Sequence, residues 1–306
     1  MTTPAAAPAA WVFPGQGSQV VGMGRTLYAD LPAVRQLYEE ADTALGFALS
    51  RLCFDGPESE LNQTINAQPA LVVTSLAHLV ALRARGVPVP APRFVAGHSL
   101  GEYSALLAAG ALSLPAAVRL VRARGAAMQA AGDLSPDGSS MAAVLGADDA
   151  ALAEVCAACD VDLANFNAPG QTVISGSRSG VERAGMLIKE RGARRVLPLA
   201  VSIASHSRLM QPAAATMRAL LAAVDLRPPE VPLVANVTAQ PTRDPDEIRR
   251  LLVAQLTAPV RWVESIAAMA EVGVTTFWEI GAGKVLGGLI KRIVPSATIE
   301  QSETYL

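Results

Sequence analysis

Apolar and polar positions alternate in a way that divides the chain into short buried runs and longer periodic ones. Trp11-Val12-Phe13 is apolar throughout and runs into Pro14-Gly15-Gln16-Gly17-Ser18-Gln19. A short unbroken apolar run closed by turn residues predicts a buried strand. Helical spacing follows over 29–45 and again, after Asp55-Gly56-Pro57, over 58–62. A long apolar helix is predicted over 68–85, closed by Gly86-Val87-Pro88. The next run, Phe94-Val95-Ala96, enters Gly97-His98-Ser99-Leu100-Gly101 and leaves as an alanine- and leucine-rich helix. G-x-S-x-G between a strand and a helix is the sequence of a nucleophile elbow, whose tight turn lifts the serine oxygen out at the end of a sheet. A glycine-flanked serine that merely turns a strand into a helix is the plainer alternative. Ser113-Leu114-Pro115 then caps and starts a further helix, with proline in the first turn where it is tolerated.

A polar linker with Pro136 occupies 133–138. Beyond it the pattern reads strand 141–145, helix 148–158, strands 161–165 and 171–175, helix 179–191 and strand 195–199. This β-α-β-β-α-β order is that of the ferredoxin-like split arrangement. A strand-like segment over 201–206 leads back, and a helix follows from Arg208. Residues 231–236 and 275–280 read as further strands of the main sheet, with helices over 245–256, 259–272 and 283–293. The expected architecture is therefore α/β. An α/β-hydrolase-like main domain (11–132 and 202–306) carries the elbow, and a ferredoxin-like subdomain (133–201) is inserted into it.

Composition narrows the class. With 306 residues, 51% apolar and 17% charged, the chain has room for one large domain and a small one. A net charge of −2 and the lack of a basic run speak against nucleic acid. MTTPAAAPAA has no positive n-region, so it reads as a loose leader rather than a signal peptide. No stretch reaches the ~18 uninterrupted apolar residues of a membrane span. Cys53, Cys156 and Cys159 cannot make a disulfide framework. The C-x-x-C of Cys156 and Cys159 lies within a helical pattern without a second ligand pair, which predicts buried apolar side chains and no metal. A cytoplasmic protein is expected.

A serine nucleophile needs a base near neutral pH, and there are three histidines. His98 adjoins Ser99 on the turn, so its ring should project elsewhere into a packed, hydrogen-bonded place. His78 lies in the middle of the 68–85 helix, as a core residue. His206 remains, at the return from the insert, although it could also merely cap the next helix. Acids between Ser99 and His206 such as Asp160 and Asp162 belong to the insert, and nothing marks either as an orienter. A Ser–His dyad, its imidazole oriented by a backbone carbonyl or an amide, is the expected arrangement. Arg124 falls on the apolar stripe Ala117, Leu120, Val121, Met128 and Ala131, with no acid within one turn. An unpaired buried charge is costly. Either a distant Asp or Glu pairs with this guanidinium, or its fork awaits a carboxylate from outside.

Seven segments carry a family likeness, in this order along the chain: FPGQGSQ (13–19), GHSLGEYSAL (97–106), ARGAAMQ (123–129), NAPGQTVISG (167–176), SHSRLM (205–210), QLTAPVRW (255–262) and EIGAGKVL (279–286). Together they resemble the malonyl-CoA:acyl-carrier-protein transacylases of bacterial fatty acid synthesis, and also the acyltransferase domains of polyketide synthases. The resemblance implies that Ser99 is acylated, that His206 is its base and that Arg124 pairs with the malonyl carboxylate. It further implies an oxyanion hole from the backbone N–H groups of Gln16 and Leu100. Gln255 would orient His206 through its main-chain carbonyl, with Asn167 assisting beside it. The implied partners are malonyl-CoA and acyl carrier protein, met by a monomer with no metal and no cofactor of its own; phosphopantetheine arrives on coenzyme A and on the carrier. An acidic carrier would meet a basic patch, either Arg191, Arg194 and Arg195 or Lys284, Lys291 and Arg292. Ala282 stands where proline is often found. Ser205 precedes the histidine where many malonyl-selective polyketide domains carry phenylalanine, which leaves malonyl and methylmalonyl both open. The competing readings are a free-standing polyketide acyltransferase, a serine thioesterase or lipase, and a silent carrier-docking subunit.

Overall fold

The computed structural model describes residues 8–201 and 203–306. Residues 1–7 of the predicted leader and residue 202 in the predicted return segment lie outside the described residues. Ala9 and Ala10, the last two residues read as leader, belong to the first strand. Among the described residues, ten strands build two sheets: β1 (Ala9–Phe13), β2 (Pro92–Gly97), β3 (Ser139–Leu145), β4 (Asp162–Ala168), β5 (Gln171–Ser177), β6 (Arg195–Pro198), β7 (Leu233–Val234), β8 (Pro241–Thr242), β9 (Thr276–Glu279) and β10 (Thr298–Gln301). The main sheet has the order β10-β9-β1-β2-β7-β8 and is parallel except for the short edge strand β8. The smaller sheet, β4-β5-β3-β6, is antiparallel throughout. The protein is thus a mixed α/β fold with a parallel main sheet and a small antiparallel one.

Helices cover both faces of the main sheet, which is why β1 is apolar at every position. Ala9, Trp11 and Phe13 enter one core with Leu71, Leu106, Val121 and Met217. Ala10 and Val12 enter the other with Trp262, Ile266, Phe277 and Leu289. The helix Thr64–Ala84 has a mean hydropathy of 1.5 over an 18-residue window, enough by length and composition to cross a membrane, yet 78% of that window is buried inside the protein. It packs on the helix Leu114–Asp133 at short range, because a Cβ added to Gly125 would lie 2.7 Å from the Ile65 Cα. That close approach sets Gln68 beside Arg124.

Several predicted elements differ in their bounds. The helix expected over 29–45 is two, Arg25–Asp30 and Pro32–Leu45, broken at extended Leu31. Proline disfavours a helical conformation in the residue before it, and Pro32 restarts the helix at its own first turn. An additional helix, Leu49–Asp55, follows. No described residue of 201–206 is in a strand, and His206 has a φ of 60° in a tight turn. The helix expected from 259 begins at Trp262, because Val260 is drawn into backbone bonds with Ala164 and Phe166 of β4. Those bonds fasten the small sheet to the main body, as does Arg292, which donates to the Pro169 carbonyl at 2.7 Å.

Candidate active site

The elbow forms where β2 ends. Phe13 of β1 is in register with Gly97, and the His98 N–H donates to the Phe13 carbonyl at 3.0 Å. Ser99 takes a φ of 52°, a left-handed conformation uncommon outside glycine. The flanking glycines are sterically required: a Cβ on Gly97 would overlap the backbone of Gly101, and one on Gly101 the Phe13 carbonyl. Asn236, just past β7, clasps the turn from the next strand. Its Oδ1 accepts the Ser99 N–H at 2.8 Å, and its Nδ2 donates to the Gly97 carbonyl at 2.7 Å.

His206 reaches this turn from the irregular segment before the helix Gln211–Ala223. Its Nε2 lies 2.8 Å from Ser99 Oγ, and its Nδ1 lies 2.7 Å from the main-chain carbonyl of Gln255. A carbonyl only accepts, so Nδ1 carries the proton and Nε2 is left to accept from the serine hydroxyl. Burial pushes the His206 pKa down to about 3, helped by the Arg124 charge and opposed by the Gln255 carbonyl. The ring is therefore a neutral acceptor at physiological pH. A hydroxyl bonded to a neutral imidazole is the arrangement in which a serine can lose its proton during attack.

Arg124 is 1% exposed and meets no carboxylate. Nη1 donates to Gln68 Oε1 at 3.0 Å, and Nη2 donates to Gln255 Oε1 at 2.9 Å and Ser99 Oγ at 3.3 Å. Its Nε has no partner among the described residues. Burial lowers the Arg124 pKa from its ordinary value, and the Tyr103 and Glu102 side chains act in the opposite direction. Among the described residues, every salt bridge lies elsewhere. The distant acid weighed as its partner is thus not in contact with it.

Leu100 caps the helix Gly101–Ala108, and the loop holding Gln16 lies against the elbow, with Gly15 too close to the His98 carbonyl to carry a side chain. The backbone N–H of neither Gln16 nor Leu100 donates to another described residue. Asn167 requires a correction: its Oδ1 lies 2.7 Å from His98 Nε2, so it serves the ring beside the nucleophile and not His206. Asn167 lies near the end of β4, between two residues where the register with β5 shifts. His98 also packs edge-on against Trp262, and His78 is a core residue bonded to Ser302. Cys156 and Cys159 lie in the small sheet's apolar core.

Three buried residues at this centre escaped the sequence reading: Gln68, Glu102 and Asn236. Glu102 carried the signal that exposed Arg124, a charge among apolar neighbours (Tyr103, Ala105, Leu106), but on a helix too short to show a stripe. Asn236 closes the apolar run of β7 at the sheet end where Ser99 stands.

Residues 10–303 match the family described as the acyl transferase domain. The malonyl CoA-acyl carrier protein transacylase of Bacillus subtilis (strain 168) is 49% identical, over 93% of this chain and 90% of its own. The crystal structure of an acyl-carrier-protein S-malonyltransferase from Bartonella henselae superposes with a TM-score of 0.92 at 46% identity, covering 96% of this chain and 95% of that one. A malonyl-transacylase solved in complex with its type II PKS acyl-carrier protein gives 0.92 at 42% identity, with 96% of each chain covered. The chain belongs to the malonyl-CoA:acyl-carrier-protein transacylase family.

Proposed function

We propose that this chain transfers a malonyl group from coenzyme A to the phosphopantetheine thiol of acyl carrier protein, through a malonyl ester on Ser99. The observation that carries the reading is the Ser99 oxygen, which lies 2.8 Å from a neutral imidazole nitrogen and 3.3 Å from a buried guanidinium. His206 Nε2 takes the hydroxyl proton as Oγ attacks the thioester carbonyl. The N–H groups of Gln16 and Leu100 receive the oxyanion, a contribution of ~3–4 kcal/mol for each such donor. The carbon–sulfur bond then breaks, the proton passes from His206 to the departing thiol, and malonyl-Ser99 remains. The carrier's thiol reverses the sequence, a ping-pong course. Gln255 holds the imidazole through its carbonyl, and Asn167 acts at one remove through His98. Arg124 takes the malonyl carboxylate, for which a planar fork with an unpartnered Nε is suited.

The finer architecture belongs to the same proposal. Residues 133–201 form a ferredoxin-like insert in an α/β-hydrolase-like domain of 11–132 and 202–306, supported by the β-α-β-β-α-β order and by the spatial order second-third-first-fourth in the small sheet. We further propose a cytoplasmic monomer that binds neither nucleic acid nor membranes. Arg191 and Arg292 are already engaged, with Glu154 and with Pro169 and Gln171. The exposed Arg194, Arg195 and Lys284 are therefore the better candidates to meet an acidic carrier.

The test mixes the enzyme with malonyl-CoA, with and without phosphopantetheinylated carrier protein. The expected result is a stalled malonyl-enzyme without the carrier and malonyl-carrier with it. Continuous release of malonate without the carrier would identify a hydrolase instead. Running malonyl- against methylmalonyl-CoA, and fatty-acid against polyketide carriers, fixes extender and pathway.

A further inference from the structure

Behind the serine lies a closed set of polar side chains, Glu102, Asn236 and Gln255, each 1% exposed or less. Glu102 Oε1 accepts the Asn236 N–H at 2.7 Å, and its Oε2 accepts from Gln255 Nε2. Gln255 Nε2 also donates to the Ser99 carbonyl at 2.9 Å and approaches Asn236 Oδ1 at 3.4 Å. Acceptors thus surround the amide nitrogen, which leaves Gln255 Oε1 facing Arg124. No described residue other than Glu102 brings a carboxylate to this cluster.

We propose that Glu102 is a positioning residue, an insulated counter-ion whose carboxylate balances Arg124 through the interposed Gln255 amide, so that the guanidinium fork is held by neutral acceptors, which an acyl carboxylate can displace, and not by an acid. The inference rests on the reading that Arg124 receives that group. A buried guanidinium with no negative charge nearby is costly. A carboxylate in direct contact would remove that cost but would occupy the bidentate edge that a substrate carboxylate needs. The relay through one amide answers both demands: the opposite charges stay close in a medium of low polarity while the fork contacts only neutral acceptors. The same relay fixes the amide's orientation, and with it the aim of Arg124. Burial pushes the Glu102 carboxyl up to about 7, while the bonds from Asn236 and Gln255 and the charge of Arg124 pull it down.

The test compares Ser99 acylation from malonyl-CoA and acetyl-CoA, read as the ratio of the two kcat/KM values, in wild type, Arg124→Ala, Glu102→Gln and Gln255→Glu. In Glu102→Gln the new amide needs an acceptor from position 255. The Gln255 amide turns, and its NH2 faces the guanidinium. The ratio should fall by roughly tenfold or more, the kinetic equivalent of one lost hydrogen bond to a charged group, with most of the loss in the KM for malonyl-CoA. Gln255→Glu reaches the link from its other end. It sets a carboxylate on Arg124 and a second acid against Glu102, so that charge no longer reaches the fork through a neutral amide. The ratio should fall in the same direction, and a folded Gln255→Glu that keeps the wild-type ratio overturns the relay even where Glu102→Gln fails to fold. A merely structural role would lower both rates together. A folded variant whose ratio stays within about twofold of wild type overturns the inference, since that is less than one hydrogen bond's worth. An unchanged ratio in Arg124→Ala would instead overturn the assignment of the carboxylate to Arg124. A collapsed ratio in Arg124→Ala with unchanged ratios in the other two would remove the counter-ion alone.

Discussion

Two arginines stand close in sequence or space to His206 and are treated in opposite ways. Arg208, two residues beyond it, is about half exposed and meets both Asp160 and Asp162, the latter at 2.9 Å, at the seam between the sheets. Arg124 is fully buried, its hydrogen bonds go to two amides and a hydroxyl, and its guanidinium lies 5.6 Å from the Tyr103 ring centroid. Stability alone would favour the reverse arrangement, since a charge in water needs a partner least and a charge in the interior needs one most. Asp160 and Asp162 thus fasten the surface, while the histidine is oriented by a main-chain carbonyl. On the proposed function, the interior cation is left for a group that arrives with the substrate.

The largest effect should come from the base that sits between these two regions. His206→Ala should slow Ser99 acylation by roughly a thousandfold or more, as expected for loss of a positioned general base. Rapid-quench mass spectrometry reads this, and a rate near wild type would place the base elsewhere. Arg124→Ala sharpens the comparison directly. The malonyl-to-acetyl ratio should fall by ~30-fold or more, the range for truncating one partner of a buried charge pair, with Arg124→Lys between. Arg208→Ala is the contrasting case: a stability loss under ~1 kcal/mol in a denaturant titration and an unchanged ratio, because exposed ion pairs are screened. A selectivity loss at Arg208 equal to that at Arg124 would erase the distinction between the regions.

The smallest effect concerns protons. Burial lowers the pKa of all three histidines, His78 to about 4 and His206 to about 3. A buried neutral imidazole contributes stability that is complete above the unfolded pKa of about 6.5 and is lost as the pH falls below it towards the folded value. Ring resonances followed by NMR should therefore stay in place between about pH 7.5 and 5.5, a window around that unfolded value. A resonance titrating near 6.5 would show a histidine in contact with water.

What the sequence revealed follows from which interactions leave a periodic trace. β1 and β2 were legible because parallel strands buried on both faces are unbroken apolar runs, and the elbow because its glycines are sterically required. β8, a two-residue strand, and β10, a polar edge strand with Ile299 as its single apolar residue, leave no such trace. Arg124 stood out as a charge on a long apolar stripe. The Leu31 break was written in Pro32 but masked by helical spacing that continues across it. Asn167 rested on the family likeness, and the ring its amide meets, that of His98, follows from how β4 lies against the elbow, which no spacing along the chain records. Gln255 rested on family likeness, since its useful atom is a main-chain oxygen, and a side-chain pattern says nothing about where that points.

The central claim is that one serine carries the acyl group, and intact-mass measurement after mixing with malonyl-CoA tests it most directly. The wild-type chain should gain a single malonyl group, mapped to Ser99, that is discharged by the thiol of a phosphopantetheinylated carrier protein, and Ser99→Ala should gain none. An undiminished adduct on Ser99→Ala would contradict the account.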